Sequence, residues 1–150
     1  KYDGVFLKSI NKDPKSNKIS SILKQINPNI KIFNSIVYIK NFEKFDISKK
    51  YLIFSGLGNL NSFKDILIEN NFNIIEEINF PDHHNYKTND IQKILDKAKK
   101  IDANIITTEK DFVKIPDQLK SKINCIEIDL NILEADELIK FIKSKIYETN

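Results

Sequence analysis

The residues best suited to chemistry lie in the stretch FPDHHNYKTND (80–90), which contains both histidines of the chain. The histidines follow Asp82 directly, so a carboxylate and two imidazoles are adjacent. Histidine titrates near neutral pH, and a neighbouring carboxylate can tune it for proton transfer. We therefore predict an acid–base role for Asp82 with His83 or His84. A metal site, completed by acidic residues further along the chain, and a plain polar turn are the alternatives.

A second polar stretch, SGLGN (55–59), could bind an anion. Its glycines permit a close approach of the backbone to a ligand, and the helix after it would present unpaired N–H groups. The full dinucleotide-binding fingerprint would need a further glycine where Asn61 stands, so a tight strand-to-helix turn is an equal alternative. The candidate residues here are Ser55, Gly56, Gly58 and Asn59.

A third polar stretch, TTEKD (107–111), supplies Thr107, Thr108, Glu109, Lys110 and Asp111. Lys110 could bind a phosphate. Alternatively, Thr108 caps a short helix, with Asp111 three residues after the cap, and the charged residues of TTEKDFVK form local ion pairs.

Apolar runs alternate with helical patterns along the chain, which predicts an α/β fold with a parallel, Rossmann-like three-layer sheet. Its core strands are expected near residues 51–55, 74–79, 104–107 and 124–129, with CIEIDL (125–130) as one last strand. Each polar stretch follows a predicted strand immediately. Since the carboxyl ends of parallel strands share one edge, where ligands bind, the three stretches should converge.

The chain before this region is less regular. A strand is expected at YDGVFL (2–7), a polar turn at DPKSNK (13–18) and a strand at 30–39. The polar segment 41–50 is the best candidate for a boundary. We therefore divide the chain into residues 1–49, the end of an N-terminal domain with its connection, and residues 50–150, a C-terminal α/β domain.

Composition narrows the class of protein. The 150 residues are 41% hydrophobic and 30% charged, which is an ordinary globular balance. All 24 basic residues are lysine, so no guanidinium fork is available for phosphates. The excess of lysine in the first 50 residues favours an anionic surface or is simply a solvated face. A single cysteine excludes an internal disulfide and a cysteine-based zinc site, and no apolar run is long enough to span a membrane.

In order and spacing, SGLGN, FPDHHNY and TTEKDFVK resemble the C-terminal region of the tetraacyldisaccharide 4'-kinase family, the lipid A kinases. That family typically has a G-I-G-N-P stretch, a D-H-x-x-Y motif and T-T-E-K-D-x-V-K. The resemblance is strong over residues 50–116, and Leu60 departs from it where the family usually has proline. The matching residues are Gly56, Gly58, Asn59, Phe63, Asp82, His83, Tyr86, Thr107, Thr108, Glu109, Lys110, Asp111, Val113 and Lys114.

The resemblance implies a kinase that uses ATP and Mg²⁺. Its acceptor would be the 4'-hydroxyl of an acylated glucosamine disaccharide, a lipid A precursor, at the cytoplasmic face of the bacterial inner membrane. His83, beside Asp82, would pair with a catalytic aspartate of the N-terminal domain. Tyr86 and the two other polar stretches would line the phosphate and substrate cleft, and no nucleic-acid partner is expected.

The phosphate-binding loop of such a kinase is not encoded in this chain. Its glycines are Gly4, Gly56 and Gly58, and none fits GxxxxGK[ST]. The chain thus resembles the last half of the enzyme, and we expect it to be inactive alone because ATP and Mg²⁺ would be bound mainly by the N-terminal domain.

Two other functions remain as alternatives. The Asp-His-His triplet also resembles the DHH phosphoesterases, which use manganese, but the four aspartates before residue 80 form no D-x-D pair. A non-catalytic α/β module that binds an anion in its polar loops is the third possibility.

Overall fold

The computed structural model describes residues 2–10, 14–56 and 60–147. Its strands are β1 (Gly4–Ile10), β2 (Lys31–Ile39), β3 (Lys50–Ser55), β4 (Asn73–Asn79), β5 (Asn104–Thr108), β6 (Asn124–Ile126) and β7 (Ile128–Ile132). Its helices are α1 (Pro14–Ile26), α2 (Leu60–Glu69), α3 (Thr88–Ile101), α4 (Glu109–Phe112), α5 (Asp117–Lys120) and α6 (Ala135–Tyr147), with a 3₁₀ helix at Phe42–Lys44.

These elements form two compact units. One is Ile39–Ile128, and the other combines Lys1–Tyr38 with Asp129–Asn150. The predicted boundary between residues 49 and 50 concerns the domains of a longer protein and stays a prediction.

The unit Ile39–Ile128 contains a four-stranded parallel sheet in the order β4-β3-β5-β6. The predicted parallel α/β fold is therefore confirmed. From β3 the chain crosses to β4 on one side through α2, and then returns past β3 to β5 through α3. Because such crossovers are right-handed, two crossovers in opposite directions place α2 and α3 on opposite faces of the sheet.

The central strand β3 explains why both faces need a helix. Its residues Tyr51, Leu52, Ile53 and Phe54 are all at most 2% exposed. A continuous apolar run of this kind is typical of a parallel strand that is covered on both faces. On one face, Leu52 and Phe54 pack with apolar residues of α3 in the main buried cluster. On the other, the Tyr51 ring lies 5.3 Å from the Phe72 ring.

The other unit contains a three-stranded sheet in the order β1-β2-β7, in which β1 and β2 are parallel. Alternate residues of β2 are buried, as the sequence pattern predicts for a strand. The Phe33 ring of β2 packs 5.3 Å from the Phe141 ring of α6. This contact fixes α6 on the sheet of its own unit.

Two local predictions are wrong. CIEIDL is two strands, because the pairing changes at Glu127, whose backbone N–H donates to Asn41 Oδ1 and whose carbonyl accepts from Lys40. The predicted polar turn at 13–18 falls largely in α1, which begins at Pro14. Proline favours the first helical position, since it has no N–H to leave unpaired there.

Candidate active site

Gly56 is the point at which the ends of three strands meet. It follows β3 directly, and a Cβ on it would lie 3.2 Å from both Pro81 O and Tyr86 Oη and 3.3 Å from Asp111 Oδ1. Pro81 and Tyr86 follow β4, and Asp111 follows β5. The predicted convergence of the three polar stretches is therefore present, although Gly58 and Asn59 lie outside the described residues.

The reason for glycine at position 56 is space rather than backbone conformation. Its φ is not positive, so an L-residue could adopt the same backbone. A side chain, however, would press against a carbonyl, a hydroxyl and a carboxylate at once.

Asp111 is a fully buried carboxylate at the centre of this edge. Its Oδ2 accepts hydrogen bonds from Ser55 Oγ and from Thr108 Oγ1, each at 2.8 Å. Thr108 is also the N-cap of α4 and accepts from the Asp111 backbone N–H at 3.3 Å, so the capping interpretation is confirmed. Lys114 Nζ lies 3.7 Å from Asp111 Oδ1. Hydrogen bonds to a charged group are the strong ones, and they offset part of the cost of burying it.

Tyr86, from the segment after β4, reaches the same point. Its ring packs 5.3 Å from Phe54 and 5.1 Å from Phe80, and the residue is 5% exposed. Its hydroxyl and Asp111 Oδ1 are both buried, and neither has a hydrogen-bond partner among the described residues. Burial raises the pKa of the Tyr86 hydroxyl well above its usual value, and the nearby Asp111 carboxylate raises it further. The hydroxyl therefore stays protonated and remains a donor.

His83 lies in a turn whose backbone is tied to Gly56. The His84 N–H closes the turn on Pro81 O at 3.1 Å, and the His83 N–H donates to Gly56 O at 3.2 Å. His83 has a left-handed backbone with φ 59°, which is uncommon outside glycine. Its side chain is 90% exposed, and Nε2 lies 3.6 Å from Asp82 Oδ2. The imidazole thus projects from the sheet edge on a backbone that is held in place.

His84 occupies a different environment. Its Nε2 lies 3.1 Å from Asp90 Oδ2, and its ring stacks on Phe80 at 4.7 Å. Asp90 also accepts from the Lys87 N–H at 3.0 Å, at the start of α3. The two histidines lie in a turn, and it is the turn that sends their side chains into different surroundings. His84 ties the turn to α3, whereas His83 faces solvent.

The remaining predicted residues divide into buried and exposed sets. Thr107 is buried, and its Oγ1 donates to Phe54 O at 2.8 Å, which joins β5 to β3. Glu109 and Lys110 are exposed at the start of α4. The buried polar groups can hold the carboxyl ends of the strands in place. Only the exposed polar groups can contact a ligand directly.

Sequence reasoning overlooked Asp90 and did not separate Lys114 from the other matching residues. Asp90 holds His84, and Lys114 is the cation beside the buried Asp111 carboxylate. Asp90 could have been found from its place as the third residue of α3, a position at which an acidic side chain often caps the helix. Lys114 stands three residues after Asp111, a helical spacing at which opposite charges pair, and the local ion pairs expected in TTEKDFVK include this one.

The described part of the chain contains no group of three or more histidine, cysteine, aspartate or glutamate residues arranged to hold a metal ion. In particular, Asp111 is engaged with Ser55 and Thr108 and does not join Asp82 and His83. Among the same residues, no helix is long and apolar enough to cross a membrane.

Comparison with known proteins connects this arrangement to one family. A sequence model of the tetraacyldisaccharide-1-P 4'-kinases matches residues 5–147. The tetraacyldisaccharide 4'-kinase of Pelagibacter ubique is 38% identical over 95% of this chain, and that of Rickettsia typhi is 36% identical over 95%. The chain spans 45% and 42% of those two proteins, respectively.

A solved structure agrees with the fold. The crystal structure described as the "apo" form of LpxK from Aquifex aeolicus in complex with ATP has a TM-score of 0.50 at 16% identity. The likeness covers 95% of this chain and 52% of that one. On the match over residues 5–147 and the identity to these relatives, the chain belongs to the tetraacyldisaccharide-1-P 4'-kinase family.

Proposed function

We propose that this chain is the C-terminal portion of a lipid A kinase. The intact enzyme transfers the γ-phosphate of ATP to the 4'-hydroxyl of a tetraacyldisaccharide 1-phosphate, a lipid A precursor. Family membership supports this, as do the names of the relatives and the fact that the similar crystal structure is a complex with ATP. The observation that carries the proposal is the exposed His83 imidazole, on a backbone bonded to Gly56 at the carboxyl edge of the parallel sheet.

The chain supplies one wall of the cleft, and the N-terminal region supplies the other. Phosphoryl transfer depends on positioning and on neutralising charge around the phosphates, which a P-loop and Mg²⁺ provide. This sequence contains no P-loop. ATP and Mg²⁺ are therefore held mainly by the N-terminal domain, whose end and connection correspond to residues 1–49, while residues 50–150 form the C-terminal domain.

His83 is the catalytic residue of this wall, and Asp82 assists it. As the 4'-oxygen bonds to the γ-phosphorus, the bond from that phosphorus to the β,γ-bridging oxygen breaks and ADP leaves. The hydroxyl proton passes to an acidic base of the N-terminal domain, and His83 pairs with this base. An imidazole near a carboxylate suits this role because its charge changes near neutral pH.

The exposed residues of the other two stretches lie along the phosphate and substrate side of the cleft. Lys110 and Glu109 begin α4 at the same sheet edge, and Lys110 is suited to a phosphate oxygen. Gly58 and Asn59 belong to this set by the family resemblance. Because the acceptor is a lipid, the enzyme works at the cytoplasmic face of the inner membrane, as a peripheral protein in this region.

The test is a reconstituted kinase, in which this chain replaces the matching C-terminal region of the Pelagibacter ubique relative. Phosphate transfer from radiolabelled ATP to a tetraacyldisaccharide 1-phosphate is measured with Mg²⁺. The reconstituted kinase should turn over, whereas the 150-residue chain alone should match a blank without enzyme. Turnover by the chain alone, or an inactive reconstituted kinase beside an active parent, would contradict the proposal.

A further inference from the structure

We propose that Asp111 and Tyr86 are positioning residues that hold the turn carrying His83 in its reactive place. The inference rests on the proposed function, because it needs His83 to act in the reaction. Neither residue touches the reactants in this proposal. Both act through the backbone of Gly56 and of the Pro81–His84 turn.

The first step is the bond between Asp111 and the end of β3. Asp111 Oδ2 accepts from Ser55 Oγ at 2.8 Å, and Ser55 precedes Gly56. The carboxylate is anchored in turn, since Oδ2 also accepts from Thr108 Oγ1 at 2.8 Å. A buried acceptor shared by two strand ends fixes β3 and β5 relative to each other at the edge of the sheet.

The second step runs from the end of β3 to His83. The Phe80 N–H donates to Ser55 O at 2.9 Å, and the His83 N–H donates to Gly56 O at 3.2 Å. Two successive carbonyls of the β3 terminus thus hold both ends of the segment 80–83. A shift of Ser55 or Gly56 would move His83 directly.

The third step concerns the space beside Gly56 that a side chain would fill. Asp111 Oδ1 and Tyr86 Oη both lie within 3.3 Å of the place where a Cβ would lie. Both atoms are buried, and neither has a hydrogen-bond partner among the described residues, although Lys114 Nζ lies 3.7 Å from Asp111 Oδ1. Tyr86 remains a donor because burial, and then the Asp111 carboxylate, raises the pKa of its hydroxyl. Buried polar groups left unpaired are costly, so a donor facing an acceptor here draws the two groups together. Because Tyr86 stands two residues after His84, this attraction would help to hold the Pro81–His84 turn beside Gly56.

The test is a double-mutant cycle in the reconstituted kinase. Asp111→Asn keeps the shape of the side chain and an acceptor for Ser55, but removes the charge. It should lower kcat by about 10- to 100-fold with little change in the KM for ATP, since small misplacement of a reacting group costs this much. In a His83→Asn background the same change should lower kcat by no more than about twofold, because residues that act through one another are not additive. Asparagine is chosen at position 83 because it tolerates the left-handed backbone.

Tyr86→Phe should also lower kcat in the reconstituted kinase. Tyr51→Phe is its matched control. Tyr51 is equally buried and donates to Asp46 O at 2.8 Å, at the opposite end of β3. Loss of that hydroxyl should leave kcat unchanged. Equal losses from Asp111→Asn in both His83 backgrounds, or equal losses from the two tyrosine variants, would overturn the inference.

A second measurement needs no catalysis. In the 150-residue chain, hydrogen exchange of the Phe80 backbone N–H, which donates to Ser55 O at 2.9 Å, should be at least about tenfold faster in Asp111→Asn and Tyr86→Phe than in wild type, because this bond at the end of β3 is loosened. Unchanged exchange would overturn the inference. The two proposals fail differently: a His83→Asn kinase with normal kcat would remove the proposed role of His83, whereas a slow His83→Asn kinase with a normal Asp111→Asn kinase would remove only the positioning role.

Discussion

Ser55 Oγ donates to Asp111 Oδ2 at 2.8 Å, across 56 residues of sequence, and both side chains are fully buried. This bond joins the end of β3 to the helix that follows β5. It brings two of the polar stretches into contact within the protein interior. The relationship has consequences for stability, for the choice of glycine at position 56 and for the two histidines.

Ser55→Ala should lower the free energy of unfolding by about 1.5–3 kcal/mol, because it removes a hydrogen bond to a buried charged group. Chemical denaturation of the chain measures this directly. Ser48→Ala is the matched control, since Ser48 Oγ donates to Asp46 Oδ1 at 2.6 Å in an exposed position. If Ser48→Ala lowered the free energy of unfolding as much as Ser55→Ala, burial of the Asp111 carboxylate would not be the reason for the large effect of its hydrogen bonds.

Gly56→Ala should destabilise the chain by about 1–3 kcal/mol, because an added methyl group in a well-packed site forces its neighbours apart. The methyl would lie 3.2 Å from Tyr86 Oη. Adding Tyr86→Phe removes that oxygen and should recover part of the loss in a denaturation double-mutant cycle. Strict additivity of the two changes would place the strain elsewhere.

Substitutions of the two histidines should affect different properties, the rate of catalysis for His83 and stability for His84. In the reconstituted kinase, His83→Asn should lower kcat by about 10²–10⁴-fold, the usual cost of removing an acid–base group, while ATP affinity is retained. His84→Ala should have a mild effect on kcat and instead lower stability, since it removes the bond to Asp90 and the stacking on Phe80. Steady-state kinetics and thermal unfolding of both variants measure the two effects. A larger loss of kcat at His84 would mean that the other imidazole faces the reaction.

The contacts of Asp90 predict a pH dependence of stability. The hydrogen bond from the Lys87 N–H, then that from His84, lowers the pKa of Asp90 below 3.8. A carboxyl whose pKa is lowered by folding stabilises the protein above its unfolded value and loses that contribution as pH falls through the folded value. Asp90→Asn should therefore be less stable than wild type at pH 7, and the difference should shrink as pH falls below 3.8. Denaturation curves across that range measure it, and a constant difference down to the lowest pH would contradict the assignment.

The sequence by itself determined the parallel sheet. YLIF is wholly apolar, IIEEI and NIITT contain isoleucine pairs typical of strands, and amphipathic helices separate the three. This alternation left few ways to bury both faces of β3. The convergence of the polar stretches followed from the same pattern, because every parallel strand delivers its carboxyl end to one edge. The family resemblance followed from SGLGN, DHHNY and TTEKD in order, since motifs are local in sequence.

Only the tertiary structure decided which polar residues are buried and which face solvent. Asp111 and Lys110 are neighbours in sequence, yet the first is sealed in the interior and the second is exposed, because α4 has a single turn whose direction depends on the Thr108 cap. The division of CIEIDL between two sheets depended on Asn41, whose Oδ1 accepts a hydrogen bond from the backbone N–H of Glu127, 86 residues away in sequence. Likewise, the separation of His83 from His84 arose from a turn fixed by Gly56 O. Such contacts join segments far apart in the chain. A local pattern of residues therefore does not show which distant partner forms the hydrogen bond that a buried polar group needs.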